Sequence, residues 1–596
     1  MGAGARGIVP TTLCIGVLVI GFGAPNGTAE APWLTGFQPN LPGVELDDAV
    51  WIRNRGAAFD LEELELSDNQ GRVGFPPGAW IASGQEVAVA GNASAFFAAA
   101  GVWPDFALSG LPLSRTLRSI RSGFALGQEG DFLELAFRGE AVDAVVYGTG
   151  RVPSAGWSGS PVDVRGGDFL RRFPRVGPED HDRAADWQSP RRFYLGQQDW
   201  PPVALPVDGE IIAYLAPDHA RSIVELALGL AQRHVRLNVY EFRDLDLADF
   251  LAERRAEAPG LAIDVLLDAS PVGETRDEHS QRGHAIARLR DAGANVHVMQ
   301  HGRYGFNHAK YAVIDDRIAL IQSENLVPSG IPADHKTGNR GWGVFLANAT
   351  VAHALARIFD ADFQTDVFGS RETDTRDEPE YDAPLLADFD APMTTRPLVS
   401  TAPAAATLVV SPLDPHGADP IVAVLRAAEH SIRVAQLNFP PVWRDATGHE
   451  WPHPYLDEIR GAALRGVSVE VLLDGHFLDG GRLDNAATVE AVASLPNSDA
   501  RLVPPDRRVL HVKGLVVDER WVLVGSMNLN LHSMLQNREV DVLLEHPEAA
   551  AFFARAFDGD WAAAAAPPAE SGAPSLLAIL LILLPLVRAV RGRNAT

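Results

Sequence analysis

The chain has 596 residues, 46% of them hydrophobic, so it is long enough for three or four domains with buried cores. Its formal net charge of −26 argues against a protein that binds nucleic acid through broad basic surfaces. The one cysteine, Cys14, lies in an N-terminal apolar stretch, which excludes disulfides and thiolate metal sites from the rest of the chain.

Lysine is rare in this chain: there are three lysines, Lys310, Lys336 and Lys513, among 51 Lys and Arg residues. Strong acidity with scarce lysine is typical of halophilic proteins, because a Debye length of roughly 3 Å at 1 M salt lets like charges share a surface. A GC-rich coding bias also replaces lysine by arginine. The two explanations are compatible.

Residues 1–29 predict a secretory signal peptide. Arg6 precedes an apolar run at 8–22, and small residues follow up to Ala29. A retained membrane anchor is the alternative. A lipoprotein is disfavoured, because Cys14 precedes most of the apolar run.

Residues 31–150 alternate short apolar runs with Gly, Pro and Asp turns, a pattern that predicts an antiparallel β-sandwich. This region resembles the lamin-tail domain, and the resemblance is carried mainly by residues 60–68, 75–78, 84–89, 130–135 and 142–148. The resemblance implies an immunoglobulin-like fold and a role in adhesion or targeting, without catalytic residues. Residues 151–207, rich in Gly, Pro, Trp and Arg, predict a linker or an extended wrap.

From residue 208 onward, predicted strands alternate with predicted helices, and the same order occurs twice. Even the sequence Val-Leu-Leu-Asp is repeated, at 265–268 and 471–474. The duplication predicts two similar α/β domains, at 208–365 and 406–562. Residues 366–405 are rich in Asp, Glu, Thr and Pro and predict a solvated linker between them.

The chain ends in an apolar segment at 573–590 with arginines in and after its last turn. The segment is short for a transmembrane helix, but snorkelling arginine side chains would let it span a bilayer. The basic tail would then be cytoplasmic and the domains extracellular. We therefore predict a secreted, membrane-anchored protein, with a cleaved C-terminal sorting signal as the alternative.

Each α/β domain contains one copy of a motif, and its residues fall at offsets of 2, 7, 15 and 17 from a histidine. The two sets are His308, Lys310, Asp315, Ser323 and Asn325, and His511, Lys513, Asp518, Ser526 and Asn528. The His-x-Lys alternation places both side chains on one face of a strand. The apolar runs that follow predict a β-hairpin in each copy, which would gather these polar residues at one site.

The repeated motif resembles the signature of the phospholipase D superfamily, His-x-Lys-x4-Asp followed by Gly-Ser-x-Asn, present twice. The resemblance covers residues 208 to about 562. It implies two α/β halves that share one active site at their seam, so that a monomer suffices. We therefore expect a multidomain fold in which the N-terminal sandwich precedes a pseudo-twofold pair of α/β domains.

The resemblance also implies a chemistry. One histidine attacks phosphorus to form a phosphohistidine, and the other protonates the leaving oxygen. The lysines and asparagines stabilise charge on the phosphate oxygens, and Ser323 and Ser526 add hydrogen bonds. No metal or other cofactor is required.

The two copies differ in ways that predict unequal halves. The second contains Asn537-Arg538-Glu539, whose acid matches a family residue that orients a histidine, whereas the first has Asn339-Arg340-Gly341. The first copy also has Gln322 where glycine is usual.

By the same resemblance, His308 is predicted as nucleophile and His511 as acid. Glu539 could orient either histidine. Asp315 and Asp518 have supporting structural roles.

Three functions remain open from the sequence. A phospholipid substrate at the cell surface, for hydrolysis or phosphatidyl transfer, is favoured by the acidic chain. The predicted anchor suits such an enzyme and a surface nuclease alike. An extracellular nuclease is the alternative. The lamin-tail resemblance suggests a third, an adhesion protein with reduced catalysis, but the intact His, Lys and Asn of both copies argue against it.

Overall fold

The structure is a computed structural model of the chain and describes residues 31–564, except for 40–47, 101–102, 152–156, 165–168, 173–181, 188–192, 194–199, 300–303, 335–336, 364–394, 414–418, 445–449, 477–483 and 506. The predicted signal peptide at 1–29 and the predicted membrane segment at 573–590 lie outside the described residues, as does most of the predicted acidic linker. Within the described part, no helix is both long and apolar enough to cross a membrane.

The N-terminal region is built from short strands. Its elements are β1 (Trp33–Gln38), β2 (Ala49–Arg53), β3 (Phe59–Asp60), β4 (Leu64–Ser67), β5 (Arg72–Gly74), β6 (Trp80–Ile81), β7 (Glu86–Asn92), α1 (Ala93–Ala100), β8 (Phe106–Ser109), β9 (Arg118–Arg121), β10 (Gly130–Phe137), β11 (Glu140–Gly148) and β12 (Leu170–Arg171).

These strands form two five-stranded sheets, in the orders β12-β1-β2-β7-β8 and β11-β10-β4-β5-β9. Apolar side chains from both sheets, such as Ile52 and Leu133, belong to one buried core. The predicted β-rich region is therefore present, while its immunoglobulin-like and lamin-tail assignments stay predictions. Strand β12 lies in the segment predicted as a linker or wrap, and it pairs with β1.

The first α/β half and the strand before it follow. Their elements are β13 (Ala204–Val207), β14 (Ile211–Ala216), α2 (Ala220–Gly229), β15 (His234–Val239), α3 (Leu245–Glu257), β16 (Ala262–Asp268), α4 (Arg276–Asp291), β17 (Asn295–Met299), β18 (Lys310–Ile314), β19 (Ile318–Gln322), β20 (Gly341–Leu346) and α5 (Ala349–Phe363).

The second half repeats this order. Its elements are β21 (Leu398–Ser400), β22 (Ala404–Ser411), α6 (Pro420–Ala427), β23 (Ser431–Gln436), β24 (Val442–Arg444), β25 (Glu450–Pro452), α7 (Pro454–Arg465), β26 (Ser468–Asp474), α8 (Asn485–Ala493), β27 (Ser498–Val503), β28 (Lys513–Val517), β29 (Trp521–Gly525), α9 (Leu531–Leu535), β30 (Glu539–Glu545) and α10 (Pro547–Ala563).

Each half contains an eight-stranded mixed sheet, and the two strand orders are equivalent. The first sheet runs β21-β14-β20-β19-β18-β15-β16-β17, and the second runs β13-β22-β30-β29-β28-β23-β26-β27. The motif lysines hold the same register in both: Lys310 lies opposite Val239, and Lys513 lies opposite Gln436. The two halves that appear as a repeat in the sequence thus also have the same sheet topology.

The edge strands of the two sheets are exchanged between the halves. Strand β13 precedes the first half but pairs with β22 of the second, with Ala204 opposite Thr407. Strand β21 precedes the second half but pairs with β14 of the first, with Ile211 opposite Ser400. Both exchanged strands fall in segments predicted as linkers.

A single apolar core spans the contact between the halves, which we call the seam. It contains Val313 and Trp342 of the first half and Val516 and Phe553 of the second. The rings of Trp342 and Phe553 lie 4.8 Å apart between centroids. The seam therefore fixes the two motifs relative to each other.

Candidate active site

The strands β18 and β19, and their equivalents β28 and β29, form the two predicted hairpins. Asp315 and Asp316 have φ angles of 54° and 56°, and Asp518 and Glu519 have φ angles of 53° and 48°. Two successive residues with positive φ are what a type I′ hairpin turn requires, and aspartate tolerates this conformation better than most residues. The motif aspartates therefore close the hairpins.

The same aspartates also bind the backbone of a neighbouring strand. The Asp315 carboxylate accepts hydrogen bonds from the N–H groups of residues 232, 233 and 234 at 2.7–2.9 Å. The Asp518 carboxylate accepts from residues 429, 430 and 431 at 2.7–2.9 Å. In each case burial opposes ionisation, but the three hydrogen bonds outweigh it and hold the pKa below its usual value. This geometry fits the supporting role predicted for both.

Each motif lysine is buried, and its ammonium group contacts the backbone of the histidine of its own motif. Lys310 Nζ donates to the carbonyl oxygen of His308 at 2.9 Å, and Lys513 Nζ donates to that of His511 at 2.8 Å. Both lysines are fully buried, whereas each histidine side chain keeps 14% exposure. A molecule in solvent can thus reach the imidazoles, whereas the ammonium groups are enclosed by the protein.

Each histidine is anchored by the backbone of the opposite half. The N–H of His308 donates to the carbonyl oxygen of Arg538, and the N–H of His511 donates to that of Arg340, both at 2.8 Å. These bonds belong to two short parallel bridges, one on each side of the seam. The structure therefore brings both motifs to one site, as the sequence predicts.

A carboxylate from the opposite half engages each imidazole. His308 Nδ1 lies 2.8 Å from Glu539 Oε2, and His511 Nδ1 lies 3.1 Å from Glu324 Oε1. The prediction that the first copy lacks an acid is therefore corrected: Gly341 carries none, but Glu324 supplies one. The signal in the sequence was an acidic residue inside Ser323-Glu-Asn325, where the second copy has methionine.

The motif asparagines have unsatisfied amides. The Oδ1 atoms of Asn325 and Asn528 are buried and have no hydrogen-bond partner among the described residues. A buried polar atom without a partner is costly, so these two oxygens are available to a hydrogen-bond donor on a bound molecule.

The motif serines are already engaged. The Oγ of Ser323 accepts from the N–H of Trp342, and the Oγ of Ser526 accepts from the N–H of Val540, both at 3.0 Å. The serines thus hold the strand beside the site, and their contact with phosphate stays a prediction.

The repeated Val-Leu-Leu-Asp sequence also has a place near the site. Asp268 Oδ2 accepts from the N–H of Asn307 at 2.7 Å, and Asp474 Oδ1 accepts from the N–H of Leu510 at 2.9 Å. Both donors immediately precede a motif histidine. The repeat was visible in the sequence, but its role as a backbone anchor was not.

The two histidines have different electrostatic surroundings. Burial lowers the pKa of His308 well below its usual value, and the positive charges of Lys310 and Lys513 lower it further. Burial also lowers the pKa of His511, but the Glu324 carboxylate opposes that shift. Both pKa values are therefore lowered by burial, and the charges around the two rings differ.

Burial also shifts the pKa values of the charged groups around the imidazoles. Burial lowers the pKa of Lys310 to about 8, with Glu539 opposing the shift. Burial raises the pKa of Glu539 to about 7, with Lys310 opposing it.

One aromatic side chain makes the halves unequal. The Tyr240 ring lies 4.7 Å from the His308 ring and 5.2 Å from Lys310 Nζ. The equivalent position in the second half, by strand register, is Leu437. Tyr240 was not predicted as a site residue, and it lies just past the end of a buried strand.

Metal ligands are not grouped near the motifs. Among residues that the structure describes, no three His, Cys, Asp or Glu side chains are placed to hold one ion. The predicted independence from metal stays a prediction.

The family comparison matches both halves. Residues 225–363 and 421–561 match the family model described as "Cardiolipin synthase, PLD-like domain". Cardiolipin synthase 2 of Staphylococcus epidermidis strain RP62A is 24% identical over 343 residues, which are 55% of this chain and 63% of that protein. Cardiolipin synthase of Staphylococcus aureus strain Mu50 is 32% identical over 112 residues, which are 18% of this chain and 22% of that protein.

Solved structures show weaker likeness. The phosphatidylserine synthase of Haemophilus influenzae Rd KW20 has a TM-score of 0.43 and 12% identity, over 66% of this chain and 96% of that one. The phospholipase D family member Nuc of Salmonella typhimurium has a TM-score of 0.22 and 16% identity, over 29% of this chain and 100% of that one. Because both scores are below 0.5, we base no inference on them.

Proposed function

We propose that this chain, whose residues 225–363 and 421–561 match a PLD-like family model, is a phosphodiesterase that cleaves phospholipid through a phosphohistidine. The observation that carries the proposal is the pairing of each motif histidine with a carboxylate of the opposite half. His308 and His511 each contact a buried carboxylate from the opposite half, above two buried lysines.

The first step transfers the phosphoryl group to the protein. Glu539 engages Nδ1 of His308, which leaves Nε2 to attack phosphorus. As the nitrogen–phosphorus bond forms, the bond to the leaving alcohol breaks, and His511 gives that oxygen a proton.

The second step reverses the roles. Water or an acceptor alcohol gives a proton to His511, and its oxygen attacks phosphorus as the bond to His308 breaks. Water yields hydrolysis, whereas an alcohol yields a new phosphodiester. The buried ammonium groups of Lys310 and Lys513 favour the extra negative charge of both transition states.

The assignment of roles to the histidines follows the family resemblance. A nucleophile must be unprotonated and an acid must hold a proton. Burial lowers the pKa of both His308 and His511, and Glu324 opposes the lowering at His511. We propose His308 as nucleophile and His511 as acid.

Lipid is the substrate that we propose, with an extracellular nuclease as the second candidate. The matched family and the relatives named above are called cardiolipin synthases, and the net charge of −26 disfavours a polyanionic substrate. Both motifs lie on one chain, so a monomer suffices.

We also propose that the catalytic halves face outward from the cell surface, which rests on the sequence patterns at 1–29 and 573–590. Protease treatment of intact cells should then degrade the domains. Full protection in intact cells, with degradation after lysis, would place them inside.

The test of the activity uses the purified full chain in detergent at high salt. It is offered a fluorescent phospholipid with an added alcohol, single-stranded DNA and double-stranded DNA in separate reactions. We expect turnover of the lipid, none by His308→Ala or His511→Ala, and no effect of a chelator.

The other outcomes are decisive. Cleavage of DNA alone would favour the nuclease, and no turnover of any substrate would favour an adhesion protein. Activity that survives both substitutions would remove the two-histidine mechanism. Loss of activity with chelator would contradict independence from metal.

A further inference from the structure

We propose that Glu324 is the positioning residue of His511 and replaces an acid that the equivalent half carries on the next strand. The proposal deepens the function proposed above and rests on it for its kinetic readout. It accounts for three departures of the first motif copy from the second: Glu324 itself, Gly341 and Gln322.

The space for Glu324 exists because residue 341 is glycine. Gly341 and Glu539 each begin the equivalent strand, β20 in the first half and β30 in the second, and lie opposite Ala216 and Ser411. A Cβ atom at 341 would lie 2.6 Å from Cγ of Glu324, closer than such atoms approach. Glutamate at 324 and a side chain at 341 therefore exclude each other in this arrangement.

The relocated carboxylate has the same partners as its counterpart. Asn339 Nδ2 donates to Glu324 Oε2 at 3.2 Å, and Asn537 Nδ2 donates to Glu539 Oε1 at 3.1 Å. Each carboxylate also contacts a histidine Nδ1 across the seam. Carboxylates from different chain positions thus serve equivalent sites.

Gln322 supports the new position of the acid. Its Nε2 donates to the carbonyl oxygen of Glu324 at 2.9 Å, and its Oε1 accepts from the Tyr214 hydroxyl at 2.7 Å. Gly343 leaves room for this tyrosine, because a Cβ there would lie 2.5 Å from the ring atom Cε2 and closer still to Cζ. Glutamine at 322 and glycine at 343 are therefore parts of one rearrangement around Glu324.

In the second half, a different side chain stabilises the segment equivalent to Ser323-Glu324-Asn325. Its counterpart of Gln322 is Gly525, and its counterpart of Gly343 is Asp541, which lies opposite Gly525. The Asp541 carboxylate accepts from the N–H of Met527 at 3.0 Å. Each half therefore has one glycine and one polar side chain at this pair of positions, in opposite order.

The rearrangement also places the acid partner of His511 next to a motif asparagine. Glu324 lies between Ser323 and Asn325, whose amide oxygen is buried and unpaired among the described residues. In the second half the acid, Glu539, begins strand β30 and is separated from Asn528 in the chain.

The experiment moves the acid of the first half from position 324 to position 341, in the full chain. The variants are Glu324→Met, Gly341→Glu and the double variant, which copies the second half. We expect kcat to fall roughly 100-fold in Glu324→Met and also to fall in Gly341→Glu, whose new side chain collides with Glu324. The double variant should recover to within about tenfold of the unmodified chain.

A second readout does not depend on turnover. The carboxylate opposes the lowering of the His511 pKa, so Glu324→Gln should lower that pKa further. The pH dependence of His511 acylation by diethylpyrocarbonate, followed by peptide mass spectrometry, measures this shift. Thermal melting of every variant separates positioning from folding.

The outcomes distinguish the two proposals. An unmodified chain with no turnover, but with a shifted His511 titration in Glu324→Gln, removes the proposed function and keeps the positioning role. Unchanged kcat and unchanged His511 titration in a folded Glu324→Gln overturn the positioning role. A folded double variant no more active than either single variant also overturns it.

Discussion

Glu539 of the second half hydrogen-bonds His308 of the first, with 2.8 Å between Oε2 and Nδ1. The glutamate is fully buried, and the contact joins residues 231 positions apart in the chain. Neither half therefore contains a complete set of groups around its own histidine. The contact between the halves therefore positions catalytic groups in addition to stabilising the fold.

The first prediction concerns this contact. Glu539→Gln keeps the shape of the side chain but removes the charge that orients and stabilises the His308 ring when it bears a phosphoryl group. We expect kcat to fall by roughly 10²- to 10⁴-fold with little change in KM. Rapid-quench measurement of phosphoenzyme formation should locate the loss in the first step.

Glu545→Gln is the matched control, because Glu545 lies on the same strand and forms a partly exposed ion pair with Arg520. It should retain full activity. A kcat within threefold of normal in Glu539→Gln would contradict the role of the buried carboxylate.

The second prediction is an alkaline limb in the pH profile. Burial lowers the pKa of Lys310 to about 8, and the proposed chemistry needs its ammonium form. Activity that depends on this charge is present below that pH and is lost as the pH rises through it. A profile of kcat/KM should therefore fall above about pH 8.

Lys310→Arg tests the assignment, because guanidinium stays charged throughout this range. The variant should be slower, since the larger group fits the buried position poorly, but its alkaline limb should change. The part due to Lys310 should disappear, while Lys513, whose pKa burial also lowers, keeps its own part. An unchanged limb would assign the ionisation to another group.

The sequence predicted the parts of the site that depend on local periodicity. Alternation in His-x-Lys and the apolar runs after Lys310 and Lys513 were sufficient to predict the two hairpins. The hairpins depend on neighbours along the chain, which the sequence displays directly. That both motifs share one site was implied by the resemblance to the phospholipase D superfamily.

Other features depend on positions that are close only in space. The acid of the first copy was considered missing because position 341, the equivalent of Glu539, is glycine, but a carboxylate can enter the same place from an adjacent strand. Glu324 does so because Gly341 leaves the space open. Strands β13 and β21 were likewise assigned to linkers, since their partners lie in the opposite half.

The third prediction separates folding from chemistry at Asp315. Asp315→Ala removes three backbone hydrogen bonds and places alanine at a φ of 54°, so we expect a loss of roughly 2–4 kcal/mol of stability. Urea unfolding of the variant would measure it. The activity of the molecules that remain folded should be close to normal.

Asp315→Asn is the conservative control, because asparagine tolerates positive φ and its amide oxygen can accept. It should lose less stability than alanine. The depressed pKa of Asp315 adds stability above its unfolded-state value of about 3.9, and this part is lost as the pH falls through the folded-state value. An activity loss larger than the loss of folded protein would contradict a structural role.

The fourth prediction concerns the seam. Arg538 and Asp362 come from opposite halves, lie 2.9 Å apart and have side chains that are each 1% exposed. Asp362→Ala leaves a buried guanidinium without its counter-charge, which typically costs about 3–5 kcal/mol. Activity should fall with stability, because the Arg538 carbonyl oxygen also holds the N–H of His308.

Two further variants identify the cause of that loss. If the unpaired charge is responsible, Arg538→Met combined with Asp362→Leu should unfold at higher urea than Asp362→Ala, because no charge is left buried. Glu545→Ala removes one partner of an ion pair whose side chains are 55% and 43% exposed, and it should change stability by less than about 1 kcal/mol. A double variant as unstable as Asp362→Ala would instead show that the ion pair is needed to hold the halves in register.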